Sequence, residues 1–508
     1  MNKRKIFSRV SNLDISLLPG DFILVIVSIV LVLLATLYPF NFYFPDSFSI
    51  PALLDSFDNT SFFKDQVNNI LLFTPLGFGL ASLLQRRRVK PTSQFLTVIL
   101  LSAGLSFTVE ALQVFLPSRA PTPADIFNNS IGGFVGLLCF YFFNSQSFIY
   151  TLIRIENSRT SNSIKKLTVF FLGYILISFL ISIAWQHTTN LSNWSLNYPL
   201  LLGNEQTGDR AWRGYISEVN IADRAISKNE VSQVFHHENY SKTLGNSLLA
   251  SYQLTGKGSY QDRTGQMPEL LSQGQSPDIE VEKGVALSSK HWLTTREPAT
   301  FLSERIREAS QFTIITTVAT ADTDQTGPAR IISLSGDSLR RNFTLGQQGT
   351  DLDLRIRTPI TGANGADSKL SIPGIFADTH SHQIIITYSG ASLHVYVDKA
   401  QNSYSLNLLE LVPKEQKVFY YGLTFIPLGL CLALLTTLAK RKLTFNRLLL
   451  PSGILLPSLI LEGILVNDSG KNLSLKNLLL GILFTATTTL ILRWRAAMVL
   501  RKAARSGS

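Results

Sequence analysis

The stretch DQVNNILLFTPLGFGL (65–80) and, after a basic turn, LSAGLSFTVEALQVFLPSRAPTPADIFNNSIGGFVG (101–136) set the character of this chain. Together they contain three apolar segments, each of about the length that crosses a bilayer as a helix. Glu110 stands deep inside one of them, where a carboxylate that faces lipid costs at least ~2.5 kcal/mol. Its side chain is therefore predicted to face other helices, a partner or water.

Further polar residues in this region are spaced so that they share helix faces. Gln113 follows Glu110 by three residues, and Arg119 stands in the short turn before the next helix. Two trios share the spacing i, i+3 and i+4, which places each trio on one face of its helix; they are Asp65, Asn68, Asn69 and Asp125, Asn128, Asn129. Because the second and fourth helices begin on the same side of the membrane, we expect these side chains to meet in one cluster.

Composition indicates a membrane part and a separate soluble part. The chain has 508 residues, of which 45% are hydrophobic, and the apolar residues occur in blocks. Eight blocks are near the ~20 residues that span a bilayer; they cover residues 22–40, 67–84, 95–116, 126–143, 167–185, 418–438, 448–466 and 473–492. The first block lacks a small-x-small cleavage site, so it is predicted to be a retained helix rather than a signal peptide.

The distribution of charge predicts the orientation and argues against nucleic-acid binding. The formal charge is +11, yet residues 186–416 carry 20 Lys and Arg against 24 Asp and Glu, so the basic excess belongs to the membrane part. Most of those bases fall on one side of the predicted helices, which is the positive-inside pattern. The sequence thus predicts a multi-pass protein of the cell membrane, with both termini cytoplasmic and the middle segment outside. Its two cysteines lie in apolar blocks and indicate no disulfide framework.

The middle segment has the pattern of antiparallel β-structure. Short alternating runs such as QFTIITTVAT (311–320), ARIISLS (329–335) and LHVYVDK (393–399) are separated by Gly, Asp, Asn and Pro. The predicted fold is therefore mixed, with a polytopic α-helical bundle of about eight helices and an inserted all-β sandwich.

The membrane part resembles the VanZ-like membrane proteins, from the first helix to about residue 143. The resemblance rests on NILLFTPLG (69–77), on Glu110 followed by Gln113, on LPSR (116–119), and on DIFNN (125–129) with the glycines after it. The family is named for a protein associated with resistance to the glycopeptide teicoplanin. This resemblance implies a cell-envelope location and no particular reaction.

The middle segment resembles concanavalin A-like sandwiches of the laminin-G type, chiefly in WRGYISEVNIADRAIS (212–227). The resemblance implies a jelly roll, carbohydrate binding as a fold-level analogy, and calcium as a candidate ligand. Two acidic pairs offer oxygen ligands for calcium, although solvated loop charge is the favoured interpretation; they are Asp322, Asp324 and Asp351, Asp353. A zinc role for His380 and His382 is not favoured, because no further ligand has the right spacing.

The last three apolar blocks contain a degenerate copy of the opening stretch. FIPLGLCLA (425–433) parallels FTPLGFGLA (73–81) at an offset of 352 residues, and Glu462 corresponds to Glu110 at the same offset. Farther on, Asn477 and Gly481 reproduce the spacing of Asn128 and Gly132 if the loop before them is three residues shorter. The copy lacks the first polar trio, so any activity is expected in the first copy.

These observations predict five segments. They are a VanZ-like membrane domain (1–143), a cytoplasmic linker with the fifth helix (144–189), an extracytoplasmic concanavalin A-like sandwich (190–415), the repeat helices (416–494) and a basic cytoplasmic tail (495–508).

Three functions compete. The first is an envelope protein that acts on or binds a surface glycan, a peptidoglycan precursor or a glycopeptide antibiotic. The second is a membrane-embedded hydrolase or transferase that uses Glu110 and Asp125 as catalytic groups. The third is an assembly protein whose polar helix face is packing glue and whose sandwich docks a partner.

Overall fold

A computed structural model describes residues 20–43, 63–116, 121–156, 158, 160, 163–236, 240–255, 260–274, 279–280, 284–366, 368, 370–439 and 443–505. The chain divides into two compact units. One comprises Met1–Ser178, Phe419–Ser458 and Lys476–Ser508, and the other comprises Phe179–Val418 and Leu459–Leu475.

Eight of the described helices are long and apolar enough to cross a membrane, which confirms the prediction of a polytopic helical part. They are α1 (Gly20–Leu37), α2 (Phe63–Arg86), α3 (Pro91–Gln113), α4 (Pro123–Phe143), α6 (Ile164–Gln186), α11 (Lys414–Leu438), α12 (Leu443–Ser469) and α13 (Leu475–Arg505). A shorter helix, α5 (Ser145–Glu156), lies between α4 and α6.

Helices α2 and α4 approach each other through glycines. A Cβ atom built on Gly77 would lie 2.0 Å from the carbonyl oxygen of Gly133, and one on Gly136 would lie 2.1 Å from that of Thr74. Only residues without a side chain allow two helix backbones to come this close. Beside this crossing, α1, α2 and α3 share an apolar core that includes Val32, Phe73 and Val109.

The β-part consists of two antiparallel sheets. The seven-stranded sheet has the order β12-β11-β10-β9-β1-β7-β4; its strands are β1 (Leu200–Leu202), β4 (Leu270–Gly274), β7 (His291–Thr295), β9 (Ala329–Ser335), β10 (Arg341–Gln348), β11 (Asp351–Ile356) and β12 (Leu370–Ile372). The eight-stranded sheet has the order β15-β14-β13-β8-β2-β6-β5, with β3 also paired to β2; its strands are β2 (Gly214–Ala222), β3 (Leu248–Gln253), β5 (Ile279–Glu280), β6 (Gly284–Leu287), β8 (Gln311–Thr320), β13 (Ser381–Ser389), β14 (Ser392–Val397) and β15 (Lys399–Asn407).

Aromatic side chains join the two sheets into a sandwich. Phe343 on β10 meets Phe312 on β8 edge to face, with ring centroids 5.4 Å apart, and Tyr388 stacks on the same Phe312 at 5.5 Å. All three are fully buried. The predicted strands QFTIITTVAT and ARIISLS correspond to β8 and β9, so the predicted sandwich is confirmed. Short helices flank it: α7 (Lys228–His236), α8 (Tyr240–Leu244), α9 (Thr300–Ala309) and α10 (Leu408–Leu411).

The loop between α12 and α13 is fixed to one edge of the sandwich. The carbonyl oxygen of Ser469 accepts hydrogen bonds from Asn407 Nδ2 at 2.9 Å and from Ser392 Oγ at 3.0 Å. The backbone N–H of Asn472 donates to Glu410 Oε1 at 3.0 Å. This loop therefore belongs to the second unit with the sandwich.

Candidate functional site

Glu110 is buried near the end of α3 and is held by the start of α4. Its side chain is 2% exposed, and Oε2 accepts a hydrogen bond from the backbone N–H of Thr122 at 2.9 Å. The first amides of a helix have no partner within the helix and carry a partial positive charge, so a carboxylate is favoured there. The prediction that Glu110 faces protein rather than lipid agrees with this placement.

Thr122 organises the junction between α3 and α4. It is the N-cap of α4, its Oγ1 accepts from the N–H of Asp125 at 3.2 Å, and Pro123 occupies the first helical position. Thr and Pro at these positions are typical of a helix start. Asp125 lies close enough to Glu110 for the two carboxylates to interact electrostatically. The junction thus brings two acidic groups and one backbone donor together.

Three amide side chains on α3 and α4 are buried in the same helices. Gln113 donates from Nε2 to the carbonyl oxygen of Thr36 on α1 at 3.0 Å. Asn129 is 2% exposed and donates from Nδ2 to Ser106 Oγ on α3 at 2.8 Å, whereas its Oδ1 is buried with no hydrogen-bond partner among the described residues. Asn128 is also buried. Of the second predicted trio, Asp125 thus interacts with Glu110, Asn129 bonds to α3, and Asn128 is buried on the same helix.

The first trio differs from the expectation. Asp65 and Asn68 are exposed at the start of α2, Asn69 is half-buried, and no hydrogen bond or ion pair in the described ranges joins them to Glu110. The reason is the rotation of α2, whose buried stripe runs through Ile70 and Phe73. Asp65 and Asn68 lie off that stripe. Arg119, the remaining predicted member, falls outside the described residues.

Thr122, Ser102 and Ser106 belong to the site and were not predicted as members. The TPAD sequence at 122–125 was an available signal, because it has the N-cap, Pro and acidic positions of a helix start. Ser102 and Ser106 precede Glu110 by eight and four residues, on the same face of α3. Ser102 Oγ is buried against Gly133 without a hydrogen-bond partner in the part of the chain that the structure describes.

The second half of the chain holds a similar carboxylate with a different partner. Glu462 on α12 is 1% exposed and accepts from Lys471 Nζ, at 2.9 Å to Oε1 and 2.8 Å to Oε2. Its Oε2 also accepts from the backbone N–H of Ser474 at 3.4 Å. Thr122 follows Glu110 by 12 residues, and Ser474 follows Glu462 by 12. The two carboxylates therefore receive corresponding backbone bonds, and Glu462 has a cation in addition.

In each acidic pair that the sequence offers as calcium ligands, one carboxylate contacts a guanidinium group. Asp322 pairs with Arg213 at 2.5 Å, and Asp353 Oδ1 accepts from Arg355 Nε at 3.2 Å. Within the described ranges, no group of three or more His, Cys, Asp and Glu side chains is placed to hold a metal ion.

The fold and these contacts define the class as a polytopic helical membrane protein with an inserted β-sandwich. Residues 21–144 match the family model described as VanZ/LLP1, which covers α1 to α4 and the whole Glu110 site. That match supports a membrane protein of the cell envelope. The search of curated proteins and the search of solved structures each returned no match.

Proposed function

We propose that this protein binds an envelope ligand rich in hydroxyl and amide groups through the Glu110 cluster. The candidate ligands are a peptidoglycan precursor, a surface glycan or a glycopeptide antibiotic. The cluster is proposed to open at the extracytoplasmic face, as the positive-inside pattern of the sequence predicts. The observation that carries the proposal is the buried Glu110, held by the backbone N–H of Thr122, the N-cap of α4, with Asp125 beside it.

The chemistry of the cluster suits such a ligand. Carboxylates accept hydrogen bonds from hydroxyl and amide donors, and the bonds of charged groups are the stronger ones. The unsatisfied Oδ1 of Asn129 is a further acceptor. Polar groups buried at membrane depth are costly unless they are paired or used.

The C-terminal helices support placing the ligand site in the first half. We infer that α11 to α13 are a degenerate copy of α2 to α4, because corresponding contacts recur 352 residues later. A Cβ on Gly77 would meet the Gly133 carbonyl oxygen at 2.0 Å, and one on Gly429 would meet that of Thr485 at 2.9 Å. The offset between the two copies is therefore 352 residues in all three helices. It replaces the alignment of Asn477 and Gly481 with Asn128 and Gly132, which required a loop three residues shorter.

The copy has lost the ligand-binding features. Lys471 occupies both oxygens of Glu462, and Gly481 stands where the constant offset places the equivalent of Asn129. A carboxylate paired in this way is a structural group. We therefore propose that the second copy is a scaffold and that the first copy binds the ligand.

Binding by the intact protein tests the proposal. Full-length protein in nanodiscs is titrated with teicoplanin and with a lipid-linked disaccharide pentapeptide, with Glu110→Gln, Asp125→Asn and the exposed Glu415→Gln as a matched control. We expect the two cluster variants to bind at least about tenfold more weakly, because a lost charged hydrogen bond is worth about 1.5–3 kcal/mol. The control should bind as the wild type does.

The competing function is purely structural, with the polar side chains holding the helices together. The hydrogen bonds from Gln113 to Thr36 and from Asn129 to Ser106 favour it. It predicts that Glu110→Gln lowers stability and leaves affinity unchanged in the protein that folds. Wild-type affinity in both cluster variants, at normal abundance in the membrane, would overturn the binding proposal.

A further inference from the structure

Three arginines share one face of the seven-stranded sheet. In the register of β9, β10 and β11, Arg330 is opposite Gly346, Gly346 is opposite Asp353, and Thr344 is opposite Arg355. A register irregularity between Arg341 and Phe343 pairs Arg341 with Ser335, on the same face of β9 as Ser333, the partner of Thr344. Thr344 alternates with Phe343 and Leu345, whose side chains belong to the buried core. The arginine face is therefore the one that points away from the other sheet.

Two of these arginines are fully buried and poorly satisfied. Arg330 is 1% exposed and Arg341 is 0% exposed, and in each of them Nε and Nη1 are buried with no hydrogen-bond partner among the residues described. Arg341 Nη2 donates to the carbonyl oxygen of Ser338. The Thr344 hydroxyl between the two arginines is unsatisfied as well. Buried polar groups are nearly always hydrogen-bonded, so four guanidinium nitrogens without a hydrogen bond at one place mark a candidate ligand site.

The charges around this face do not balance. Arg330, Arg341 and Arg355 face three carboxylates, those of Glu205, Asp337 and Asp353, and Asp337 is also paired with a fourth guanidinium group, that of Arg340. The closest approach of Arg330 to Asp353 is 3.9 Å, which is beyond hydrogen-bonding distance. Burial and the neighbouring guanidinium groups of Arg341 and Arg355 lower the pKa of Arg330. Burial also raises the pKa of Asp353. Among these groups the positive charge is in excess.

We propose that this face of the sandwich is a binding site for a compact oxyanion, which Arg330, Arg341 and Thr344 hold. Guanidinium forks bind carboxylate, phosphate and sulfate oxygens with two parallel hydrogen bonds, and such bonds are about twice as strong as neutral ones. The half-buried pair of Asp353 and Arg355 forms the rim of the site. The anion comes either as a free inorganic ion or as the carboxylate of a uronic acid in a glycan. The site is separate from Glu110 and does not depend on its function.

A direct binding measurement with small anions and the full-length protein in detergent tests this site. The probes are radiolabelled sulfate, with unlabelled phosphate and glucuronate as competitors, at an ionic strength held constant with chloride. We expect saturable binding at one site per chain, and a shift of the unfolding midpoint to higher temperature as the anion saturates it. Competition by glucuronate assigns the site to a glycan carboxylate, and competition by phosphate alone assigns it to a free anion.

The variants are Arg341→Gln, Arg330→Gln and Thr344→Val, with Arg340→Gln as the matched control. Arg340 adjoins Arg341 but is exposed and pairs with Asp337. Both buried-arginine variants should lose at least about tenfold in affinity, and Thr344→Val, which keeps the shape of the side chain, should weaken binding without unfolding the sandwich. No saturable binding of any probe to the wild type, or an equal loss in Arg340→Gln and Arg341→Gln, would overturn the proposal.

Discussion

Two buried carboxylates, Glu110 and Glu462, occupy similar positions and have different partners. Each accepts a hydrogen bond from a backbone amide 12 residues later, at the start of the next helix. Glu110 has a second carboxylate, Asp125, nearby, whereas Glu462 has the ammonium group of Lys471. The two sites thus differ in one neighbour. Asp125 stands beside the carboxylate that is proposed to bind a ligand, and Lys471 pairs with the carboxylate that is fixed within the protein.

Removing Lys471 is expected to be strongly destabilising. In Lys471→Met, the charge of Glu462 stays buried at 1% exposure and loses its cation, and breaking a buried ion pair costs about 3–5 kcal/mol. The double variant Glu462→Gln with Lys471→Met should recover most of that loss, since no unpaired charge remains. Unfolding in mixed SDS and detergent micelles measures the free energies. If Lys471→Met alone were as stable as the wild type, the ion pair would contribute nothing to stability.

At the scale of elements, the crossing of α2 and α4 builds the Glu110 site, because α4 carries Asp125, Asn128 and Asn129. The crossing depends on glycines rather than on interlocking side chains. On α4, Gly136 lies against Thr74 and Phe78 of α2. The position of α4 beside α3 is therefore coupled to how closely α4 approaches α2.

Gly136→Ala is expected to push α4 away from α2. The added Cβ would lie 2.1 Å from the Thr74 carbonyl oxygen and 2.5 Å from the Phe78 nitrogen, and both are backbone atoms that cannot turn aside. Overpacking of this kind costs about 1–3 kcal/mol. Gly104→Ala on α3 is the matched control, since nothing lies within 4 Å of its added Cβ. Thermal unfolding of the purified protein compares them, and equal midpoints would contradict the close crossing.

At the scale of the whole molecule, the order of the helices along the chain predicts which parts of the protein lie on each side of the membrane. Five of the candidate membrane helices precede the sandwich and three follow it. If each of these described helices crosses the membrane once, the odd number on each side predicts that both termini lie across the membrane from the sandwich. The bases outside residues 186–416 then predict which side is the cytoplasm.

Cysteine labelling tests this orientation. In intact cells, a membrane-impermeant maleimide should label Ser403→Cys on the exposed edge strand β15, and it should label Arg87→Cys only after permeabilisation. The wild-type protein is the control, since its own Cys139 and Cys431 lie in candidate membrane spans. Labelling of Arg87→Cys and not of Ser403→Cys in intact cells would reverse the predicted orientation.

Element type was predictable where local pattern dominates. Blocks of about 20 apolar residues became helices because every backbone polar group must be paired within lipid. The run at 311–320 became β8 because alternating β-branched residues fit a pleated surface. The position of the trio that begins at Asp65 was harder to predict. The spacing shows that its members share one helix face, but it does not show which way that face points.

The amino-acid sequence by itself determined the eight candidate membrane helices among the described residues, the inserted sandwich and the choice of Glu110 as a candidate site residue, since these depend on composition and on residues near in sequence. The tertiary structure decided that Thr122 holds Glu110, that Lys471 holds Glu462, and that Arg330 and Arg341 share a buried face. Those contacts join residues from different elements. Helix rotation and strand register set them, and both follow from the packing of the whole fold.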